Sequence, residues 1–240
     1  SYLGQPHELF SDAPKHGAHL LFAHAPRAFI DLNRDAGELD PAIVRGAKRA
    51  PANPRIAAGL GVIPRIVGNG QVIRTGKISL EEAQNRIAEY HAPYHNRLRN
   101  LIDLQHNVHG LTILIDCHSM PQKSLDSAPL VRGKNPDIIL GDRFGASCDR
   151  WIMESVTQIF AAAGFIVARN APFSGGYITQ HYGRPSKGVH ALQVEINRAL
   201  YMNEARVERA QTFDQIRTTL SEVTRQLAQI GPLPAALAAE

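Results

Sequence analysis

The sequence predicts an α/β fold in which a mostly parallel or mixed central sheet is covered by helices on both faces. Short apolar, β-branched runs of strand length alternate along the chain with longer segments of helical periodicity, which favours a helix-covered sheet. Apolar residues make up 44% of the 240 residues, enough for a buried core. We find no internal repeat and no second domain boundary, so residues 1–240 are expected to form a single domain.

Charge and composition narrow the function classes. The net charge is +4 and the isoelectric point is near 9.2, but the lysines and arginines are scattered, which argues against nucleic-acid binding. A few arginines gathered in an anion-binding pocket would explain the excess of positive charge equally well. The two cysteines, Cys117 and Cys148, argue against a disulfide-stapled secreted fold. Without an apolar run of about 18 residues or a signal peptide, we expect a cytoplasmic protein that does not bind membranes; the sequence leaves the oligomeric state open.

The N-terminal part contains two apolar runs, at 19–23 and 28–32, that are separated by Pro26 and have the length of strands. Residues 41–76 are rich in Pro, Gly, Arg and Asn and lack periodicity, so they are predicted to form a long surface loop. Loops of this length inside a domain are usually binding loops or lids.

A long amphipathic helix is predicted next. Ser79-Leu-Glu-Glu82 has the form of a capping box, and Pro93 is expected to bend the helix. Its buried stripe is predicted from residues that recur at helical spacing: Leu80, Ala83, Ile87, Tyr90, Tyr94, Leu98, Leu101 and Gln105. His91 and His95 are four residues apart and could in principle bind a metal. We favour a plain helix, because no acidic residue falls between them and Tyr94 belongs to the stripe.

The second half of the chain supplies most of the predicted sheet. Strands are predicted at 111–116, 138–140, 165–168 and 190–196, and helices at about 147–163 and 204–230. Residues 172–187 are predicted to be a loop rich in glycine and aromatic residues, and the tail 232–240 is expected to be frayed.

Asp116 and His118 follow the apolar run that ends at Ile115, and they point to the same face of the chain. The C-terminal ends of strands are where open α/β sheets bind ligands. An aspartate beside a histidine can accept its second ring N–H or bind a metal itself, so the two form a candidate metal site. A strand end with a polar turn is the alternative. Cys117 between them could be a nucleophile, although a small buried residue fits better.

Glu195 is the second candidate, because it lies in an otherwise apolar strand on the same face as Gln193. Acidic residues are rarely buried unless they are paired or functional. Glu195 could be a general base at the mouth of the sheet. A salt bridge to Arg198 or Arg184 is the alternative.

Two loop segments complete the candidates. Arg34 presents a planar guanidinium suited to a carboxylate, Asn33 adds an amide donor, and Arg27 could polarise a carbonyl; a loop cap is the alternative for the Asn-Arg pair. Residues 175–183 hold paired glycines, Tyr177 and His181, which suits a loop that closes over a small ligand. A structural turn with stacked aromatic rings is the alternative there.

Together these segments resemble the N-formylglutamate amidohydrolase family. The matching stretches are, in order, Phe29-Ile-Asp-Leu-Asn-Arg-Asp35, Ile115-Asp-Cys-His-Ser-Met-Pro121, Leu140-Gly-Asp-Arg-Phe-Gly145, Gly175-Gly-Tyr-Ile-Thr-Gln-His-Tyr-Gly-Arg-Pro185 and His190-Ala-Leu-Gln-Val-Glu-Ile-Asn-Arg-Ala-Leu-Tyr-Met202. The family is related to the zinc carboxypeptidases and aspartoacylases, so the resemblance implies a fold like theirs. It also implies zinc-dependent hydrolysis of the formamide of N-formyl-L-glutamate, a small anionic substrate, to formate and glutamate, late in histidine breakdown.

The resemblance also implies roles for individual residues. His118 would be a zinc ligand with Asp116 orienting it or sharing the site, and Glu195 would be the base that activates water. Asn33 and Arg34 match the pair that holds a substrate carboxylate.

Further roles concern the carbonyl and the second carboxylate. Arg27 stands roughly where the relatives have a carbonyl-polarising arginine. Glutamate carries a second carboxylate, for which Arg143 and Arg184 are the best candidates, with Tyr177 and His181 also expected to contact substrate.

One motif of the family has no counterpart in the sequence. The first metal motif, a histidine in a Pro-His-Ser-Gly segment, should precede Asp31, whereas the nearest stretch here is Gln5-Pro-His7. A lone His118 cannot hold a catalytic zinc, which normally takes three protein ligands. We therefore expect an N-terminal part of the family fold to lie outside this chain. There are two alternative interpretations of the function. The protein could be a deacylase or peptidase that acts on another N-acyl amino acid, or a non-catalytic relative that binds anions without a metal.

Overall fold

The computed structural model describes residues 6–48, 53–67, 70–126 and 128–231. Its contacts divide the chain into two units. We call Ser1–Leu20 with Leu104–Glu240 the sheet unit, and Leu21–Asp103 the loop unit.

The elements are short in the first half of the chain and longer in the second. The α-helices are α1 (Pro6–Leu9), α2 (Pro54–Ala57), α3 (Leu80–Arg86), α4 (Ala92–His109), α5 (Arg150–Ala162), α6 (Tyr177–Tyr182) and α7 (Phe213–Leu227). The strands are β1 (Val44–Arg45), β2 (Ile78–Ser79), β3 (Thr112–Met120), β4 (Ile138–Gly141), β5 (Val167–Arg169), β6 (Val189–Asn197), β7 (Met202–Asn203) and β8 (Glu208–Arg209). Single turns of 3₁₀-helix lie at Ala13–His16, Gln122–Leu125, Pro185–Lys187 and Arg198–Leu200, and Ile87–His91 is π-helical.

The loop unit has little regular structure apart from its long helix. Strands β1 and β2 form a parallel pair. Its small core is made of buried aliphatic side chains: Ile30, Ile43, Val44, Val62, Ile63, Ile78 and Ala83. The predicted cap at Ser79 is confirmed, because its Oγ accepts the backbone N–H of Glu82 at 3.0 Å. Residues 41–76 are largely irregular where they are described, as predicted, but the prediction of a surface loop is wrong, because Ile43, Val44, Val62 and Ile63 are buried in this core.

The two strands predicted at 19–23 and 28–32 are wrong. Both segments are irregular, and the backbone N–H of Phe29 bonds to the carbonyl of Pro26 at 2.8 Å. A turn that starts at Pro26 competes successfully with the extended conformation that the apolar residues favour.

The predicted irregularity near Pro93 takes the form of the π-helical segment that joins α3 to α4. Proline cannot donate a backbone hydrogen bond, and the N–H of Ala92 reaches back five residues to the carbonyl of Ile87. The prediction of the buried stripe is wrong here. Tyr90 is 39% exposed, whereas His91 and His95 are buried.

The sheet unit is built on a four-stranded mixed sheet in the order β3-β6-β4-β5, which confirms the predicted fold class. β3 and β6 are parallel, β4 runs antiparallel to β6, and β5 is parallel to β4. α6 lies against β6.

The alternation of β6 separates the two faces of this sheet. Leu192, Val194 and Ile196 belong to the main core, together with residues of α5 and α7. Gln193 and Glu195 alternate with them and are also buried. β6 therefore faces the main core on one side and carries Gln193 and Glu195 on the other, where Met120, Ile139 and Ala168 of the other strands form a smaller apolar cluster.

Three boundaries in the sheet unit differ from the predicted ones. β3 extends to Met120, so the Asp-Cys-His segment lies inside the strand. The loop predicted at 172–187 contains α6. The last helix begins at Phe213 rather than near residue 204, because Asn203 Oδ1 accepts the N–H groups of Ala205 and Arg206 at 3.1 Å each and forms a turn. Within the described residues, no helix has the length and apolar character needed to cross a membrane.

Candidate active site

Asp116 and His118 form a hydrogen-bonded pair on β3. His118 Nε2 lies 2.9 Å from Asp116 Oδ2, because residues two apart on a strand point to the same face. The aspartate is buried, while the imidazole side chain keeps 20% exposure. The carboxylate therefore fixes the orientation of a ring that stays partly accessible to solvent.

Gln193 and Glu195 stand beside this pair on β6. In the parallel register of the two strands, Asp116 is paired with Gln193 and His118 with Glu195. Gln193 Nε2 donates to Glu195 Oε1 at 2.9 Å within the buried layer. An amide donor holds the carboxylate in one orientation without neutralising its charge, which suits a group that must accept and return a proton.

The fit of this site to zinc can be judged from its donors. No group of three or more His, Cys, Asp and Glu side chains in the described part of the chain is placed to hold a metal ion. A metal-binding imidazole usually bonds through its other ring nitrogen to a carboxylate, as His118 does to Asp116. The described side chains thus fit one ligand position with its orienting carboxylate, and do not complete a zinc site.

Neither cysteine has the character of a nucleophile. Burial raises the pKa of the Cys117 thiol far above its usual range, and the Asp116 carboxylate adds to the shift. Burial also raises the pKa of Cys148 to about 12. Both thiols are therefore protonated at neutral pH, which argues against a nucleophile; Cys148 is buried, whereas Cys117 is only partly buried against the main core.

The two arginines considered as salt-bridge partners of Glu195 have other acceptors. Arg198 donates from Nε and Nη2 to the side chain and carbonyl of Ser119, at 3.1 and 3.2 Å. Arg184 Nη1 donates to the carbonyls of Gln180 and Gly183 at the C-terminal end of α6. Arg184 is thus committed to capping α6.

Arg143 lies on a tightly held loop after β4. Its own φ is +56° and that of Phe144 is +57°, and Phe144 is 78% exposed. The backbone N–H of Arg143 bonds to Ser174 at 2.7 Å, and a side chain at Gly175 would meet the Arg143 stem at 3.1 Å. Two successive left-handed non-glycine residues are strained and are often found at functional sites. Among the described residues, the Arg143 guanidinium makes no hydrogen bond or ion pair.

The 175–183 segment contains α6, which lies against β6. Tyr177 and His181 stack on α6 with ring centroids 5.0 Å apart. Ile139 of β4 is paired with Glu195, and Gly141 approaches the backbone of Ser174 so closely that a Cβ would lie 2.6 Å from its carbonyl carbon. The loops after β4 and before α6 therefore meet next to the strand that carries Glu195.

The loop unit holds a separate polar group that we call the arginine cluster, consisting of Arg27, Asp31, Asn33 and Arg34. Arg27 Nε donates to Asp31 Oδ2 at 2.9 Å, and Arg34 Nε lies 3.7 Å from the same oxygen. Asp31 Oδ1 accepts the backbone N–H of Asn33 at 3.0 Å. One buried carboxylate thus organises two cations and the turn that carries the amide.

Arg34 is buried with its charge. Burial lowers the pKa of its guanidinium, the positive charges of Arg55 and Arg27 act in the same direction, and Asp31 opposes them. An arginine stays protonated under these conditions. Its Nε donates to the carbonyl of Leu60 at 2.8 Å, so a fixed cation is presented in a partly desolvated environment, where it binds an anion most strongly.

Gly61 controls how the arginine cluster is supported. A Cβ at this position would collide with the backbone carbonyl of Glu38. That carbonyl accepts the N–H of Val62 at 2.9 Å, and the carbonyl of Val62 accepts the N–H of Asp31 at 2.8 Å. A shift at Glu38 would therefore be passed on to the backbone of the arginine cluster. We expect Gly61→Ala to lower the free energy of unfolding by about 1–3 kcal/mol, measured by urea denaturation. Gly231→Ala is the control, since a Cβ there meets nothing within 4 Å; equal midpoints for both variants would contradict the prediction.

The sequence indicates most of these groups but not the roles of several supporting residues. Alternation predicts that Gln193 shares a face with Glu195, without indicating that it orients the carboxylate, and Asp31 stands out only as part of a motif. The spacing of His91 and His95 predicts a plain helix and gives no sign of their contacts with the 31–34 segment. The alternation of β6 could have identified Gln193 as the orienting group, because a second polar residue on a buried face needs a partner.

Comparison with known proteins gives concordant results. Residues 6–202 match the family model described as N-formylglutamate amidohydrolase. The chain is 32% identical over 221 residues to an N-formylglutamate deformylase of Pseudomonas aeruginosa, covering 90% of this chain and 74% of that protein. It is 33% identical over 200 residues to an N-formylglutamate deformylase of Pseudomonas putida, covering 82% and 69%.

Solved structures agree. The crystal structure of N-formylglutamate amidohydrolase from Ralstonia eutropha superimposes with a TM-score of 0.86 at 31% identity, covering 93% of this chain and 81% of that one. A gene product of Agrobacterium tumefaciens, at 17% identity and a TM-score of 0.53, covers 93% and 79% and shares the fold alone.

Proposed function

The chain belongs to the N-formylglutamate amidohydrolase family, and from that premise we propose that it hydrolyses the formamide bond of N-formyl-L-glutamate to formate and L-glutamate. The observation that supports this most directly is the register of β3 and β6. It sets a buried, amide-oriented carboxylate, Glu195, beside the Asp116–His118 pair. That arrangement suits hydrolysis of an amide by an activated water.

In this proposal Glu195 moves the proton. Its carboxylate takes a proton from the attacking water as the new carbon–oxygen bond forms, and then gives it to the amine nitrogen as the carbon–nitrogen bond breaks. Gln193 holds the carboxylate in position for both transfers through the bond to Oε1. Formic acid and a neutral amine leave, the amine takes the acidic proton so that the products are formate and an ammonium group, and Glu195 is again a carboxylate.

We further propose that His118 is one ligand of a catalytic zinc, with Asp116 as the group that orients its ring. When bound, such a metal would polarise the formyl carbonyl and lower the pKa of water. Among the described residues, no third His, Cys, Asp or Glu side chain joins this pair to hold a metal ion. The proposal for His118 therefore stands on its own hydrogen bond and accessible ring.

The substrate carries two carboxylates, and each of them calls for a cation. We assign Asn33 and Arg34 to the α-carboxylate, since both are fixed in the arginine cluster, and Arg27 to the carbonyl oxygen. For the second carboxylate we favour Arg143 over Arg184, because Arg184 is already bonded to the end of α6.

Release of formate tests the proposed function. We expect the highest kcat/KM with N-formyl-L-glutamate, lower values with N-formyl-L-aspartate and N-acetyl-L-glutamate, and loss of activity in the presence of a chelator that zinc restores. The protein used should be the full chain as it occurs in the cell. A chain that binds these anions but releases no product after zinc reconstitution would instead be a non-catalytic relative.

Replacing Arg34 should weaken substrate binding more than turnover. A carboxylate contact is present in both the ground state and the transition state, so we expect Arg34→Ala to raise KM by about tenfold to a hundredfold with kcat little changed, from roughly 1.5–3 kcal/mol for a hydrogen bond to a charged group. Arg34→Lys keeps the positive charge but loses the forked pair of guanidinium donors, so its KM should lie between those of the wild type and Arg34→Ala.

Arg55→Ala is the matched control for Arg34. Arg55 is exposed, and its positive charge acts on Arg34. Removing the Arg55 side chain therefore shows how much KM changes when only the local positive charge is reduced. Its KM should stay within about twofold of wild type. If Arg34→Ala instead lowers kcat at unchanged KM, Arg34 acts on the transition state and not as an anchor.

A further inference from the structure

The arginine cluster lies on a segment whose backbone carbonyls have no strand to pair with. Residues 31–34 are turn and irregular structure. Buried carbonyl groups need hydrogen-bond partners, and here three successive ones receive them from side chains. His95 Nε2 is 2.9 Å from the Leu32 carbonyl, Arg34 Nη1 is 3.2 Å from the Asn33 carbonyl, and His91 Nε2 is 2.9 Å from the Arg34 carbonyl.

The two histidines bind in a defined form. A carbonyl oxygen only accepts, so Nε2 of each ring must carry a hydrogen. Both side chains are buried, and their rings lie 4.2 Å apart with 36° between the planes. Tyr94 adds an edge contact to His95 at 5.3 Å. The rings therefore hold one another as well as the segment that carries Asn33.

The π-helical segment explains why both rings reach the same stretch. Four residues of this helix lie at intervals of four in the sequence: Ala83, Ile87, His91 and His95. In a regular α-helix each of these side chains would be rotated about 40° around the helix axis relative to the one before it, so they would not share one face. Hydrogen bonds that span five residues, like the one from Ala92 to Ile87, widen the turn and reduce this drift. Local π-helix is frequently found at functional sites.

We propose that His91 and His95 are positioning residues for substrate binding. The two imidazoles fix the backbone carbonyls on either side of Asn33. This sets the direction in which the side chains of Asn33 and Arg34 leave the backbone. The same contacts therefore determine the geometry with which these two side chains hold a substrate carboxylate. The inference deepens the proposed function and rests on the assignment of Asn33 and Arg34 to that carboxylate.

Paired substitutions by Gln and Asn test this proposal. A glutamine amide reaches the position of Nε2 and can donate to the same carbonyl, whereas an asparagine amide stops near Nδ1 and cannot. Both replacements are polar and cannot titrate near neutral pH. We expect His91→Asn and His95→Asn to raise KM for N-formyl-L-glutamate by about fivefold to fiftyfold with kcat within about threefold, and the Gln variants to recover most of the loss.

Hydrogen exchange followed by mass spectrometry gives a second readout that does not depend on activity. The peptide covering residues 29–36 should exchange faster in the Asn variants and at nearly the wild-type rate in the Gln variants. His106→Asn is the matched control: it lies on the same helix and its Nε2 is 2.8 Å from the Lys187 carbonyl, but it should change neither KM nor exchange in 29–36.

The outcomes separate the two proposals. Asn variants with wild-type KM and wild-type exchange would overturn the positioning role, and so would a raised KM that Gln fails to restore. A wild-type protein that releases no formate from N-formyl-L-glutamate would overturn the proposed function, while the exchange data would still decide whether the histidines anchor the segment.

Discussion

A Glu195→Gln variant is expected to lose about 10²–10⁴-fold in kcat while KM stays within about threefold of wild type. The amide has nearly the shape of the carboxylate, and its carbonyl oxygen can still accept from Gln193 Nε2, which is 2.9 Å from Oε1 in the wild type. Packing in β6 should therefore be unchanged. Only the ability to take a proton from water is removed. Steady-state formate release, with circular dichroism to verify the fold, measures the effect.

Glu154→Gln provides the control for Glu195. This glutamate lies on the exposed surface of α5, where it pairs with Arg150 at 2.7 Å. Exposed pairs of this kind contribute little, so turnover should be unaffected. Wild-type kcat in Glu195→Gln would eliminate Glu195 as the proton acceptor, and unfolding of that variant would indicate a structural ion pair instead.

Removal of the His118 imidazole should abolish both activity and zinc binding. In His118→Ala the proposed ligand is lost outright, whereas Asp116→Asn keeps the ligand and weakens only its orientation. For Asp116→Asn we therefore expect zinc affinity to fall by about tenfold to a hundredfold, the usual effect of losing a carboxylate behind a metal-binding histidine. Calorimetric zinc titration of the full-length protein and its variants measures both changes.

His109→Ala is the control for this pair, since His109 is exposed at the end of α4. Neither His118→Ala nor Asp116→Asn should unfold the sheet unit, because Ile113 and Ile115 pack on its opposite face with the main core. Equal zinc affinity in all the proteins would remove the metal-site interpretation of the Asp-Cys-His segment.

Much of the sheet unit could be predicted because strand patterns are local. An alternation of period two in β6 was enough to place Gln193 and Glu195 on one face, and the same rule joined Asp116 to His118. The boundaries were less accessible. The late start of α7 depends on the Asn203 side chain capturing two backbone N–H groups, a competition that apolar periodicity does not reveal.

The loop unit was predicted less well because its contacts are distant in sequence. His91 and His95 are buried against carbonyl groups of the 31–34 segment, whereas the pattern of the helix sequence alone predicts that the more apolar Tyr90 is buried.

In the sheet unit, nothing in the Asp-Arg-Phe-Gly stretch indicates that Arg143 and Phe144 adopt positive φ. Such conformations are imposed by the surrounding structure, here the contact with the loop at Ser174.

The parallel pairing of β3 with β6 has a consequence for how activity arises during folding. Parallel neighbours need a crossover connection, and here it runs from residue 121 to residue 188 and contains β4, α5, β5 and α6. His118 and Glu195 become neighbours only after this whole stretch has closed, which makes their contact one of high sequence separation and slow formation. A chain emerging from the ribosome therefore cannot place the Glu195 carboxylate beside His118 until β4, α5, β5, α6 and most of β6 have been synthesised.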